Sequence, residues 1–215
     1  MSVTNVKIKI CGIGDEAALA AARDAGADFL GFVFYPRSPR AVTPDAAAML
    51  MRDAGAHAKK VGLFVDPTDD ELRRTLALAP LDMIQLHGGE SVSRVADVRA
   101  RFGLPVIKAL RIAARDDLMP VDSYARMADW ILFDARVDNA ALPGGMGRRF
   151  DWSVLDGFRC ARPWMLAGGL DAENVVNALA RLKPDAVDVS SGVESAPGVK
   201  DAGKIRAFVD KVRGC

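Results

Sequence analysis

Short apolar runs alternate with alanine-rich amphipathic segments along most of the chain. Brief runs rich in Val, Ile, Leu and Phe are typical of buried strands, whereas apolar positions spaced three and four residues apart are typical of helices. The apolar runs predict eight strands, at 6–11, 29–34, 59–65, 83–87, 105–110, 129–135, within 162–169, and at 185–192.

Helix signals follow the predicted strands, and several have recognisable caps. Thr43 precedes Pro44 at a helix start, Thr68 and Glu71 have the spacing of a capping box, and Asp171 is the expected N-cap of a later helix. The predicted helices cover 15–27, 44–55, 69–79, 91–101, 115–127, 172–182 and 201–212.

Strands that are each followed by a helix predict a parallel sheet, because a helix makes each crossover. We expect one (β/α)8 barrel that occupies residues 1–215 as a single domain, with an open doubly wound sheet as the alternative. The alternation of strand and helix signals is interrupted once, at 136–152, where Gly, Pro and Asn predict a long loop that is functional or mobile.

Composition narrows the function classes. The chain has 29 basic and 28 acidic residues, so its net charge of +1 gives no reason to expect a nucleic acid or a membrane surface as partner. Three cysteines do not form a disulfide framework, which predicts a reducing, cytoplasmic setting. The N-terminus lacks the apolar core of a signal peptide, and no run of about 18 apolar residues predicts a membrane span. The two histidines, His57 and His87, are too few and too isolated for a metal site.

The active site of such a barrel lies where the strands end at their carboxyl side. Glycine turns follow the last two strands, in LAGGL and DVSSGVE, and backbone N–H groups at such turns bind phosphate. Ordinary turn glycines are the alternative interpretation. The candidate phosphate residues are Gly168, Gly169, Ser190, Ser191 and Gly192.

Cys11 ends the first strand at this same edge. Alternation places Lys9 and Cys11 on one face of the strand and Ile8 and Ile10 on the other, so the polar face is expected to point into the barrel. Asp188 lies within the last strand, next to the first in a closed barrel, and is expected to pair with Lys9 there. Cys160 and Cys215 have no comparable context.

Two further strand ends carry polar groups. Asp134 closes the apolar run WILF, where a carboxyl group is costly unless it is used or paired. His87 precedes two glycines and is either a contact at the cavity or a satisfied polar residue. Arg40 in YPRSPR presents a planar fork that suits a carboxylate, with Arg37 as a competing choice and a solvated loop arginine as the alternative.

The segments KICG, GFVFYPRSPR, VGLFVD, QLHG, LFDA, GGMGRRFDW, LAGGL and VDVSSGVE occur in this order. Together they resemble the N-(5'-phosphoribosyl)anthranilate isomerase family, and the resemblance spans almost the whole chain. It implies a cofactor-free barrel with a phosphosugar substrate. We expect a monomer or a homodimer, and the sequence does not distinguish them. The implied reaction is the Amadori rearrangement that turns the aldose amine into carboxyphenylamino-deoxyribulose phosphate in tryptophan biosynthesis.

The resemblance also implies roles. The general base falls on Cys11, the general acid on Asp134, the contact to the anthranilate carboxylate on Arg40, and the phosphate contacts on the glycines and serines named above. Met146 departs from the family, which often has a hydroxyl residue in that loop, so a hydroxyl contact there is in doubt. A free cysteine has a pKa of about 8.5, so Cys11 needs help from Lys9 or from the substrate's iminium charge to act as thiolate.

Three other readings stay open. Indole-glycerol-phosphate synthase would require a lysine and a glutamate on early strands, and the first three strands lack glutamate. A pentose-phosphate epimerase would require metal-binding histidines, of which the chain has too few. The third is a barrel that only binds a phosphorylated ligand.

Overall fold

The computed structural model describes residues 6–135 and 151–215, and its main sheet has eight parallel strands. They are β1 Lys7–Cys11, β2 Phe29–Val33, β3 Lys59–Phe64, β4 Met83–Leu86, β5 Val106–Ile112, β6 Trp130–Ala135, β7 Trp164–Leu166 and β8 Ala186–Val189. Each strand pairs with the next, and β8 pairs with β1 to close the barrel. The predicted barrel is therefore confirmed, and the open doubly wound sheet is wrong.

Helices cover the outside of the barrel. Those described are α1 Glu16–Asp24, α2 Pro44–Arg52, α3 Asp69–Leu78, α4 Val92–Phe102, α5 Val121–Met127, α6 Val175–Arg181 and α7 Ala202–Arg213. Thr43 caps α2, and the capping box of Thr68 and Glu71 begins α3, as predicted. Within 6–135 and 151–215, no helix is long and apolar enough to cross a bilayer.

Two predicted helix boundaries are wrong. The helix expected at 115–127 is divided into a 3-10 turn, Arg115–Leu118, and α5, with Pro120 between them, because proline has no N–H to continue the first element. Asp171 does not cap the next helix directly. Its carboxylate accepts from the backbone N–H groups of Glu173 and Asn174 in a local turn, and α6 begins only at Val175.

The connection between β6 and β7 differs from the others. In the part of it that is described, the chain forms a 3-10 turn at Trp152–Leu155 instead of an α-helix. The predicted loop 136–152 lies outside the described residues for 136–150, as does Met146. A separate difference concerns β5, which is longer than predicted and ends at Ile112, two residues beyond Leu110.

Alternation along the strands separates two apolar regions. Ile8 and Ile10 of β1 are fully buried between the sheet and the helices, as predicted. A smaller cluster fills the barrel interior with inward-pointing side chains, among them Phe29, Val61, Met83, Ile107, Leu132 and Met165. Polar side chains lie above this plug, toward the carboxyl ends of the strands, and there the fold can hold chemistry without losing its packed centre.

Candidate active site

A cavity lies at the carboxyl ends of the barrel strands. It brings together nearly all the residues that the sequence singles out: Cys11, Arg40, His87, Asp134, Gly168, Gly169, Asp188, Ser190 and Ser191. Gly192 does not line it. Arg37 is exposed and lines a separate surface groove, so the choice between the two arginines favours Arg40.

Cys11 reaches the cavity because its neighbour on β2 has no side chain. Cys11 pairs in register with Gly31, and a Cβ at Gly31 would lie 3.0 Å from the Cys11 Sγ and 3.2 Å from the Lys9 Nζ. Gly31 therefore leaves the space in which a thiol and an ammonium group can both fit inside the barrel.

Lys9 and Asp188 form the predicted ion pair within the barrel. The Lys9 Nζ lies 2.9 Å from the Asp188 Oδ1, and the Lys9 side chain is completely buried. Burial alone would lower the pKa of Lys9, but its pairing with the Asp188 carboxylate, with a smaller contribution from Cys11, outweighs burial and raises the pKa above its usual value. Lys9 therefore stays an ammonium group directly beneath the cavity.

Burial is the largest influence on Cys11 and raises the pKa of its thiol. The ammonium groups of Lys9 and Lys200 pull this pKa down, while Asp188 pushes it up, and the net shift is upward. Lys9 therefore lowers the pKa of Cys11, as predicted, but by less than burial raises it. Without ligand, Cys11 is a thiol at neutral pH.

His87 contacts Asp134, which lines the same cavity. The His87 Nε2 lies 3.1 Å from the Asp134 Oδ2, and the His87 Nδ1 lies 3.0 Å from the amide nitrogen of Gln85. All three side chains are buried. Sequence reasoning overlooked Gln85, although it lies two residues before His87 and so must share its side of the strand.

Arg40 is held by a buried carboxylate that the sequence did not reveal. Its Nε and Nη2 donate to the two carboxylate oxygens of Glu194 at 2.7 and 2.8 Å, and Lys200 donates to the same carboxylate at 2.8 Å. Although burial alone would raise it, these two cations hold the pKa of Glu194 below its usual value.

Glu194 and Lys200 belong to a small antiparallel ribbon after β8, formed by β9 Glu194–Ala196 and β10 Val199–Lys200. The Pro-Gly dipeptide at 197–198 is a turn signal that could have predicted this hairpin. The ribbon brings Lys200 within hydrogen-bond distance of Ser190, whose hydroxyl donates to the carbonyl of Cys11. It thereby ties the end of β8 to the end of β1.

The two glycine turns lie side by side. Gly168 and Gly169 have positive φ angles of 85° and 69°, which favour glycine, and residues Ser191–Val193 form a short 3-10 turn after β8. A Cβ at Gly192 would lie 1.9 Å from the carbonyl oxygen of Leu170. Gly192 therefore lets the two turns approach each other, although it does not line the cavity.

The remaining candidate residues lie elsewhere. Cys160 and Cys215 do not line the cavity. Across the described ranges, no group of three or more His, Cys, Asp or Glu side chains could hold a metal ion.

Comparison with known proteins identifies the barrel. Residues 8–211 match the family model of N-(5'-phosphoribosyl)anthranilate (PRA) isomerase. The N-(5'-phosphoribosyl)anthranilate isomerase of Paracoccus denitrificans is 53% identical over 205 residues, which cover 95% of each chain.

Solved structures agree. The phosphoribosyl anthranilate isomerase of Thermotoga maritima superposes with a TM-score of 0.89 at 34% identity, over 98% of this chain and all of that one. A structure of phosphoribosyl anthranilate isomerase in complex with reduced 1-(o-carboxyphenylamino)-1-deoxyribulose 5-phosphate gives a TM-score of 0.83 at 33% identity, over 98% of this chain and 100% of the other. This chain therefore belongs to the N-(5'-phosphoribosyl)anthranilate isomerase family, the isomerases of tryptophan biosynthesis.

Proposed function

We propose that Cys11 and Asp134 are the general base and the general acid of the isomerisation. The observation that carries the proposal is that a buried thiol on β1 and a buried carboxyl group on β6 line the same cavity. The two strands are three places apart around the closed barrel, so a small sugar can be held between these side chains.

The proposed mechanism assigns two of the reaction's proton transfers, at the ring oxygen and at C2', to side chains of the protein. Asp134, protonated, gives its proton to the ring oxygen of the ribose, and the ring opens to a protonated Schiff base. Cys11, as thiolate, then takes the proton from C2', and the electron pair of that C–H bond neutralises the iminium as an enolamine forms. The enolamine becomes the ketone when its hydroxyl proton is lost and C1' gains a proton.

The charge of the substrate explains how a buried thiol can act as base. Burial keeps Cys11 protonated in the empty cavity, whereas a cationic iminium beside the sulfur favours the thiolate over the thiol. Lys9 supports the same shift from below. The base is thus activated after ring opening, which is when C2' becomes acidic.

The rest of the cavity suits the two anionic ends of the substrate. The turns with Gly168, Gly169, Ser190 and Ser191 line the cavity and offer backbone N–H groups for the phosphate, and Gly192 lets the two turns approach each other. Arg40 is the contact that we propose for the anthranilate carboxylate. The ion pair with Glu194 fixes the orientation of the guanidinium. Asp188 and His87 complete the proposed binding surface.

A fluorescence assay of the anthranilate adduct tests the proposal, since fluorescence falls on isomerisation. We expect Cys11→Ala and Asp134→Asn each to lower kcat by about 10²–10⁴-fold, the usual share of a general acid or base, while both variants still bind the reduced product analogue. Near-parental kcat in either folded variant would remove that residue's role. A wild-type protein that binds the analogue without turnover would instead be a binding protein.

A further inference from the structure

Gln85 has a buried side chain for which the acid–base mechanism gives no role. It lies on β4 between Met83, which belongs to the apolar plug of the barrel, and His87, which lines the cavity. The side chain is completely buried, and its Oε1 has no hydrogen-bond partner among the described residues. A buried amide with one unsatisfied oxygen is costly, so its placement calls for a reason.

The amide controls where the imidazole of His87 carries its proton. An amide nitrogen can only donate, so the Gln85 Nε2 at 3.0 Å makes the His87 Nδ1 an acceptor. The proton of the neutral imidazole is then on Nε2, which donates to the Asp134 Oδ2 at 3.1 Å. A proton on Nδ1 would set two N–H groups against each other, so the contact favours the Nε2–H tautomer.

This tautomer determines which oxygen of Asp134 can hold the acidic proton. Because Oδ2 accepts from the Nε2–H, and the carbonyl oxygen of a carboxylic acid is its better acceptor, this contact favours Oδ1 as the site of the proton of a neutral Asp134. With the opposite tautomer, Nε2 would accept a proton from Oδ2, and the histidine would sequester the proton that the substrate needs. A neutral imidazole also stabilises the carboxylate less than an imidazolium would.

We propose that Gln85 is a positioning residue that holds His87 as the Nε2–H tautomer and thereby directs the acidic proton of Asp134 to Oδ1. The functional half of this inference rests on the proposed role of Asp134 as general acid. Its structural half, the position of one proton on His87, can be measured without turnover.

The charged side chains around His87 other than Asp134 bind the backbone of its loop. Among the described residues, none of them is hydrogen-bonded to an imidazole nitrogen. Arg111 donates to the His87 carbonyl at 3.4 Å, and Lys108 donates to the Gly88 carbonyl at 2.8 Å. Glu90 is paired with Lys108, and the Asp66 carboxylate accepts from the next backbone N–H of the loop. The contacts that set the tautomer of His87 are therefore those with Gln85 and Asp134.

Nitrogen-15 NMR of the imidazoles tests the inference on the wild-type protein. The chain has two histidines, and the exposed His57 serves as an internal reference that His57→Gln assigns. At mildly alkaline pH we expect His87 to show an unprotonated Nδ1 and a protonated Nε2. A protonated Nδ1 would overturn the inference and would not bear on Asp134 as acid, which Asp134→Asn tests separately.

Gln85→Glu gives the functional test, because a carboxylate at this place accepts from Nδ1–H and imposes the opposite tautomer or the imidazolium. A wrong tautomer lowers kcat by about 10⁴-fold in a serine protease, and we expect at least about a tenfold loss of kcat here with little change in KM. Gln85→Met is the uncharged control, which we expect to give a mixed-tautomer spectrum and a smaller loss. Unchanged kcat in a Gln85→Glu variant whose spectrum shows a protonated Nδ1 would refute the functional half.

Discussion

At the scale of single residues, burial and pairing with opposite charges act against each other on the pKa values of the cavity's ionisable side chains. Lys9 and Lys200 place two cations near the thiol of Cys11, Arg40 adds a third at the same cavity, and Asp188 and Glu194 are their carboxylate partners. Burial lowers the pKa of Lys200, and Glu194 offsets this only in part. Because most of this charge is neutralised within the protein, the cations fix geometry, and in the proposed mechanism the activation of Cys11 is left to the substrate.

We expect Arg40 to affect substrate binding, measured by KM, more than it affects kcat. We predict that Arg40→Ala raises KM for the anthranilate adduct by about 10–100-fold, since a hydrogen bond to a charged group is worth about 1.5–3 kcal/mol. Glu194→Gln should raise KM less, because Arg40 keeps its charge and loses only part of its fixed orientation. Steady-state kinetics measure both effects.

Arg37→Ala is the matched control for Arg40, since Arg37 lies in the same loop but on another surface. Its KM should stay at the parental value. An unchanged KM in Arg40→Ala, or an equal rise in Arg37→Ala, would count against a carboxylate contact at Arg40.

At the scale of elements, the site depends on how closely neighbouring turns pack. The turn after β7 and the turn after β8 meet at Gly192, where the absence of a side chain sets the distance between them. Phosphate binding through backbone N–H groups requires these groups to converge on one point. The spacing of the two turns is therefore as important as their sequence.

Gly192→Ala tests this packing. The added Cβ would lie 1.9 Å from the Leu170 carbonyl oxygen, so the turns must separate. We predict a raised KM and weaker competitive inhibition by inorganic phosphate, with the helices intact by circular dichroism. Gly14→Ala is the control, because nothing lies within 4 Å of a Cβ there. Unchanged phosphate inhibition in Gly192→Ala would contradict the account.

Local sequence signals predict much of this architecture, and long-range pairing limits the rest. Strand alternation and barrel closure were enough to predict the Lys9–Asp188 pair, because β8 must lie beside β1. The bond from Arg40 to Glu194 joins residues 154 positions apart on elements that no periodicity places together. Helix ends were missed where a proline or a local side-chain turn competed with the helix, at Pro120 and Asp171.

At the scale of the molecule, the barrel divides its interior into an apolar plug and a polar upper layer. Met83, Leu132 and Met165 belong to the plug, and Gln85 and Asp134 lie one step nearer the cavity on two of the same strands. The packed plug gives the polar groups a rigid base, while the cavity stays open at the carboxyl ends. The proposed acid and base can therefore reach one sugar from different strands without exposing the core.

A crystal structure with the reduced product analogue tests this central claim most directly. We predict the phosphate at the Gly168–Gly169 and Ser190–Gly192 turns, the anthranilate carboxylate at Arg40, the sulfur of Cys11 beside C2', and the Asp134 carboxyl group beside the oxygen derived from the sugar ring. An analogue bound elsewhere, or one whose C2' faces away from Cys11 while Asp134 is out of reach, would contradict the account.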